Sequence, residues 1–178
     1  VIALSGSFEQ RHIDYLAERF AKARPGVEKA PKAPKYIPTV TAKRKRIEQN
    51  HLCLAFPACS FVDPDRYAVQ LLNNLFGGGM SSRLFQEIRE KRGLVYSTYS
   101  FSAAYTDAGY FGMYAGCSPA KTRQVIDLLQ SELERLAADG VEPGELARAL
   151  GQISGGLVLG MEDTGSRMSR LAKGELLY

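Results

Sequence analysis

The 178 residues suffice for one substantial hydrophobic core, or for one domain with part of a second. A composition of 45% hydrophobic and 24% charged residues is ordinary for a soluble globular protein, and the apolar stretches are too short to cross a bilayer. Three cysteines, an odd number without C-x-x-C spacing, argue against a disulfide framework and a zinc knuckle, and they favour a reducing compartment.

The net charge of +4 is unevenly distributed. Residues 22–46 contain nine Lys or Arg and one acid, whereas the rest of the chain carries 14 basic and 18 acidic residues. A basic face for nucleic acid would spread its charge differently, so the charge belongs to one segment. The run from Lys43 to Arg46 fits a nuclear signal or a phosphate contact, but a solvated linker end is the simpler interpretation.

Residues 1–6 are predicted to form a short buried strand, and a helix is predicted to begin at Ser7, where Ser7 and Gln10 fit a capping box. The pair Pro25-Gly26 ends that helix. Because the chain opens at Val1 inside this predicted strand, we expect the natural N-terminus to lie upstream.

Four of the eight prolines lie among lysines in residues 25–46, which are therefore predicted to be a stiff, extended linker. A second domain is predicted from 47 onward, beginning with a strand over 47–57. A helix starts at Asp63-Pro64 and ends at three glycines. Its predicted buried stripe is Tyr67, Leu71, Leu72, Leu75 and Phe76.

A further helix follows Ser81-Ser82 and ends at Gly93, and Leu84, Phe85 and Ile88 are predicted to face inward. A hairpin of strands over 95–104 and 108–116 comes next. One face of the first hairpin strand is predicted to hold Tyr96, Thr98, Ser100 and Ser102. The remaining helices are predicted to start at Ser118-Pro119, at Pro143 and at 164. This order predicts an α+β fold, a two-layer sandwich with helices packed on one face of a mostly antiparallel sheet.

The segment 76–96, FGGGMSSRLFQEIREKRGLVY, is the most informative part of the sequence. Arg89 lies one residue beyond the inward-facing Ile88, and Tyr96 enters the following strand seven residues later. A guanidinium and a phenol that converge at the edge of a cavity suit an extended peptide and its tetrahedral intermediate, because both donate hydrogen bonds to carbonyl oxygens. On spacing alone, a solvated arginine and a packing tyrosine remain open as alternatives.

The same segment resembles the C-terminal domain of the pitrilysin-like zinc peptidases (M16), in particular the mitochondrial-processing-peptidase-like branch and its bacterial relatives. The resemblance rests on S-S-R-L-F followed by R-x-x-x-G-L-x-Y, and it extends over nearly the whole chain. It implies the LuxS/MPP-like metallohydrolase fold. It also implies that residues 1–24 end a zinc-binding first domain, that 25–46 is the linker, and that 47–178 is an incomplete C-terminal domain.

Peptidases of this family consist of two similar halves that close around the substrate. The first half binds zinc through an H-x-x-E-H motif and a downstream glutamate, whereas the second supplies an arginine and a tyrosine. The resemblance therefore implies that Arg89 holds a substrate carbonyl and that Tyr96 donates to the developing oxyanion. Ser82 of the S-S-R-L-F motif joins them as an expected substrate-binding residue.

The chain departs from the zinc-binding pattern, because its only histidines, His12 and His51, lie outside any H-x-x-E-H motif. We therefore expect no zinc site and no peptidase activity in this chain alone. His51 shares a strand face with Cys53, but the sequence offers no fourth ligand. The three glycines lack the G-K-[ST] ending of a phosphate loop. Core packing is favoured over base stacking for three aromatic residues, Tyr110, Phe111 and Tyr114.

The first functional hypothesis is the C-terminal half of a zinc-dependent endopeptidase that cleaves extended peptides. Its expected partners are a polypeptide substrate and an N-terminal zinc-binding half or partner subunit, in a dimer. The alternative is a non-catalytic structural or partner subunit of the same family, and a DNA binder that uses residues 43–46 is a weaker third. We expect no nucleic-acid or membrane partner, and a cytoplasmic location with the mitochondrial matrix as the alternative.

Overall fold

A computed structural model describes residues 1–24, 26 and 34–177. The chain divides into two compact units, one made of Val1–Lys32 with Ser154–Tyr178 and the other of Ala33–Ile153. Pro25 and residues 27–33 of the predicted linker lie outside the described residues. The predicted domain bounds therefore stay predictions.

The larger unit is built on a three-stranded antiparallel sheet with the strand order β1-β3-β2. The strands are β1 (Asn50–Ala58), β2 (Val95–Ala104) and β3 (Gly109–Cys117). The predicted hairpin is confirmed, because β2 and β3 pair directly. Their register shifts by one residue between Val95 and Ser97, which places a β-bulge at the start of β2.

The helices of this unit pack on one face of the sheet and enclose the core. They are α2 (Arg66–Gly77), a π-helix (Phe85–Glu90) and α3 (Thr122–Asp139), which follows a 3₁₀ turn (Pro119–Lys121). Alternate residues of β3 meet them: Phe111, Met113, Ala115 and Cys117. Met113 and Ile88 are fully buried, and each such side chain contributes about 2 kcal/mol of hydrophobic stabilisation.

Helix α2 approaches β2 closely because a glycine lies at the contact. A Cβ atom on Gly77 would lie 2.1 Å from the backbone nitrogen of Ser100. The Ser100 hydroxyl donates to the carbonyl of Asn73 in α2 at 2.9 Å. Because of this hydrogen bond, the buried Ser100 hydroxyl faces the helix layer without being left unsatisfied.

Helix α4 (Pro143–Gly160) begins in the larger unit and continues into the smaller one, which also contains α1 (Gln10–Phe20) and α5 (Thr164–Leu177). No residue of α1 or α5 is buried. The helices predicted from Pro143 and over 164–177 are confirmed. The predicted two-layer α+β fold with a mostly antiparallel sheet is confirmed as well.

The start of the chain differs from its prediction. Residues 1–6 form no strand, because none of the residues described here pairs with them in a ladder. Helix α1 begins at Gln10 rather than at Ser7, and its capping box is formed by Glu9 and His12. His12 therefore serves the helix terminus: its Nδ1 accepts a hydrogen bond from the backbone N–H of Glu9 at 2.9 Å.

The buried stripe of α2 also differs from its prediction at one position. Tyr67 was expected to be buried, but it is 62% exposed. The reason is that Arg66 packs over its ring and donates to its hydroxyl at 2.8 Å, so the ring lies at the surface with its polar partner. Leu75 and Phe76 are buried as predicted.

Candidate active site

The segment that carries Arg89 is a π-helix, not an ordinary α-helix. The backbone N–H of Lys91 donates to the carbonyl of Gln86, five residues earlier, at 2.9 Å. Gly93 then adopts a positive φ of 59°, which turns the chain sharply into β2. Short π-helical turns are rare, and they occur frequently at functional sites.

Arg89 is the one cation of this segment that has no carboxylate partner among the described residues. Lys91 and Arg92 both pair with Glu87, and these two hydrogen-bonded cations lower the pKa of the Glu87 carboxyl. Arg89 is half-buried, and its guanidinium carbon lies 4.8 Å from the ring centroid of Phe85. The N–H donors of its side chain are therefore available to a ligand.

Tyr96 lies in the β-bulge of β2. Val95 pairs with Cys117 and Ser97 with Gly116, so Tyr96 is the additional residue between two consecutive pairs. Its side chain is 75% exposed, and its ring centroid lies 5.8 Å from the guanidinium carbon of Arg89. The structure thus brings the two predicted residues together at the junction of the π-helix and β2.

The bulge corrects the prediction that Tyr96 shares a face with Thr98, Ser100 and Ser102. Thr98 and Ser100 are buried at 7% and 6% exposure, facing the helices, whereas Tyr96 is exposed. One additional residue in a strand ends the strict alternation of faces, so Tyr96 does not follow Thr98 into the helix layer. Bulges beside active sites commonly redirect a side chain in this way.

Ser82 is 3% exposed, and its hydroxyl has no hydrogen-bond partner within the described part of the chain. Its backbone N–H donates to Gly79, and its carbonyl accepts from Gln86. It lines a small crevice with Glu145 and Arg148. Ser82 forms no described contact with Arg89 or Tyr96, and its backbone bonds organise the turn before the π-helix.

Two residues of the S-S-R-L-F motif lie near the site but were not predicted to act in it. Phe85 was expected to face inward with Leu84 and Ile88, but it is half-buried, lies outside the described core cluster and contacts Arg89, four residues further along the chain. Arg83 binds Glu145 in a two-pronged ion pair, with N–O distances of 2.8 and 2.6 Å, and also donates to the carbonyl of Gly140. The hydrogen bonding between Arg83 and Glu145 raises the pKa of Arg83 and lowers the pKa of Glu145.

The residues described here do not fit a zinc site. Among them, no group of three or more His, Cys, Asp or Glu side chains is placed to hold a metal ion. His51 instead shares a 2.7 Å hydrogen bond with the hydroxyl of Tyr114.

The aromatic residues of β3 divide between the two faces of the sheet. Core packing is confirmed for Phe111, which is 5% exposed. It is wrong for Tyr110, which is 38% exposed, and for Tyr114, whose ring stacks on that of Tyr99 at 4.7 Å on the open face. The physical reason is strand alternation, since Tyr110 and Tyr114 lie an odd number of residues from the inward-facing Phe111 and therefore point to the other face of the sheet. Separately, none of the described helices is both long and apolar enough to cross a membrane.

Comparison with known proteins agrees with this fold. The family model for the "Peptidase M16 inactive domain" matches residues 1–153. The chain is 47% identical over 134 residues to an uncharacterized zinc protease of Streptomyces coelicolor, covering 75% of this chain and 29% of that protein. It is 37% identical over 182 residues to the uncharacterized zinc protease YmxG of Bacillus subtilis, covering 99% of this chain and 44% of that protein. The chain therefore belongs to the peptidase M16 inactive-domain family, and the predicted relationship is confirmed.

Among solved structures, the chain is similar to a chain of complex III2 from Candida albicans. The TM-score is 0.78 at 20% sequence identity, and the match covers 97% of this chain and 44% of that chain. At this identity the likeness concerns the fold alone. The chain spans less than half the length of each of these proteins.

Proposed function

We propose that this chain is the C-terminal half of a zinc-dependent endopeptidase that cleaves extended peptides. The observation that carries the proposal is the pairing of Arg89 with Tyr96 at one exposed edge, where neither side chain is used by the core. Each lies on an irregular backbone segment, a π-helix or a β-bulge, of the kind that proteins place at functional sites.

The two side chains suit different parts of the reaction. The Arg89 guanidinium offers a fork of N–H donors that hold a substrate carbonyl in both the ground state and the transition state. The exposed Tyr96 hydroxyl donates to the oxygen on which negative charge develops. Such a donor stabilises the tetrahedral intermediate more than the substrate, and losing one commonly costs about 100-fold in kcat.

In the proposed enzyme, the other half holds the zinc ion. The relatives are named zinc proteases, whereas the described residues of this chain do not fit a metal site. In the proposed enzyme, the zinc-binding half activates the water nucleophile when it is loaded. This chain binds the peptide and the developing charge, so the two halves must meet for turnover.

The test is turnover of a quenched fluorescent peptide by this chain together with the zinc-binding half. We expect Arg89→Ala and Tyr96→Phe each to slow turnover by about tenfold or more. Tyr105→Phe and Arg123→Ala are matched controls at exposed positions, and both should retain full activity.

Full activity in both Arg89→Ala and Tyr96→Phe would refute the assigned roles. An assembled pair of halves without any turnover of peptides would instead favour the alternative, a non-catalytic partner subunit of the same family. The two results are distinguishable, because the first has an active wild type and the second does not.

A further inference from the structure

Phe85 is an apolar residue that does not belong to the described hydrophobic core. It is half-buried and is absent from the cluster formed by Leu84, Ile88 and their neighbours. Its ring instead lies 4.8 Å from the guanidinium carbon of Arg89. A ring at this distance attracts a cation through its quadrupole. The contact described for Phe85 is therefore with Arg89, a proposed substrate-binding residue.

The π-helix explains why Phe85 and Arg89 meet. In an α-helix with 3.6 residues per turn, a four-residue spacing overshoots one full turn by about 40°. A π-turn holds more residues, so the same spacing comes closer to one complete turn and places Arg89 over Phe85. The Lys91 N–H to Gln86 carbonyl bond encloses Arg89, and Phe85 is the first residue of the same π-helix.

Two rings thus lie beside the Arg89 guanidinium, Phe85 at 4.8 Å and Tyr96 at 5.8 Å. Arginine has a long side chain with high rotamer entropy, and a binding residue that must first be ordered binds more weakly. The aromatic contacts restrict the rotamers of the Arg89 side chain before the substrate arrives. They leave its N–H groups free, because Glu87 pairs with Lys91 and Arg92 and no described carboxylate pairs with Arg89.

We propose that Phe85 is a positioning residue, whose ring holds the Arg89 guanidinium beside Tyr96 in the orientation that binds a substrate carbonyl. This inference rests on the proposed function of Arg89. Phe85 acts through Arg89, so its loss should resemble a partial loss of Arg89. It should weaken peptide binding and raise KM, whereas loss of the Tyr96 hydroxyl should lower kcat.

The experiment uses the complete enzyme, with the zinc-binding half present, and compares Phe85→Leu with Phe85→Tyr. We expect Phe85→Leu to raise KM about fivefold with kcat unchanged, since a half-buried cation–π contact is lost. Phe85→Tyr keeps a ring and should keep the wild-type KM. In zinc-free enzyme, anisotropy of a labelled substrate peptide should show the same fivefold loss of affinity in Phe85→Leu only.

A double-mutant cycle with Arg89→Ala separates positioning from direct contact with the substrate. If Phe85 acts through Arg89, then Phe85→Leu adds no further loss when Arg89 is already alanine. A loss of equal size in both backgrounds would mean that Phe85 touches the peptide itself, and the proposal would be overturned. Wild-type KM and affinity in Phe85→Leu would overturn it as well.

Melting temperatures accompany each variant. Should Phe85→Leu melt early, Phe85→Met fills similar space with a flexible apolar chain and replaces it in the same comparisons. Full activity of Arg89→Ala itself would reject the proposed function, whereas an impaired Arg89→Ala with a fully active Phe85→Leu would reject the positioning role alone.

Discussion

At the scale of single residues, the clearest electrostatic contact lies beside the site and not within it. Arg83 and Glu145 are both mostly buried, and their two-pronged pair links the segment before the π-helix to the first turn of α4. The lowered pKa of Glu145 is caused mainly by its hydrogen bond from Arg83. Because the carboxylate form is favoured in the folded state, the pair stabilises the fold fully above the ordinary glutamate pKa, and this stability is lost as pH falls through the lowered pKa of the folded state.

We therefore predict that Glu145→Gln lowers the free energy of unfolding by about 2 kcal/mol near neutral pH. The difference from wild type should be complete above the ordinary pKa of 4.5 and shrink as pH falls from there through the lowered pKa, where the carboxyl of the folded wild type becomes protonated. Denaturant unfolding of the complete enzyme at several pH values measures this. Asp127→Asn, in the exposed pair with Arg123, is the control and should show almost no loss.

The residues that could be predicted from the sequence are those whose chemistry is visible without a neighbour. Arg89 and Tyr96 follow from a motif with a fixed spacing of seven. The role of Phe85 could not be predicted, because it depends on a guanidinium lying over its ring, whereas its apolar character indicated only an inward-facing residue. Glu132 is a similar case: its spacing of three from Arg135 is visible in the sequence, but its burial is decided by the packing of α3.

At the scale of elements, the close contact between α2 and β2 depends on the glycine at position 77. An added methyl group at Gly77 would overlap the backbone of Ser100 and must push the helix and the strand apart. We predict that Gly77→Ala lowers the free energy of unfolding by about 3 kcal/mol. Gly151→Ala in α4 is the matched control, since nothing lies near its Cβ position, and it should stabilise by about 0.5–1 kcal/mol. Denaturant titrations of both variants measure the two shifts, and an unaffected Gly77→Ala would contradict the described contact.

Element type was predictable for most of the chain, but element irregularities were not. Apolar spacing around Leu84 and Ile88 indicates a helix, yet it does not distinguish an i→i+4 from an i→i+5 hydrogen-bond pattern. The alternation of residues 95–104 reads as an unbroken strand, because a bulge depends on the register with β3. Both irregularities lie in the two elements that carry Arg89 and Tyr96, where tertiary packing decides the backbone.

At the scale of the whole molecule, we expect metal binding in the zinc-binding half and peptide binding by Arg89 and Tyr96 of this chain. We predict that replacing His51 and Cys53 by alanine leaves the zinc content of the complete enzyme unchanged, because these residues form no described metal site. A chelator should abolish turnover but leave the Arg89-dependent peptide affinity. Elemental analysis and anisotropy measure the two quantities, and loss of zinc in the alanine variants would contradict the prediction. The dimer and the cytoplasmic location stay predictions.

The sequence by itself determined the family, the order of helices and strands after residue 47, and the identity of the two proposed site residues. These depend on residue types and spacings, which a chain carries before it folds. Only the tertiary structure decided that Tyr96 leaves the face of Thr98, and that Phe85 lies against Arg89. The physical reason is that strand register and side-chain stacking depend on the geometry of the folded backbone. The order of residues along the chain does not specify that geometry.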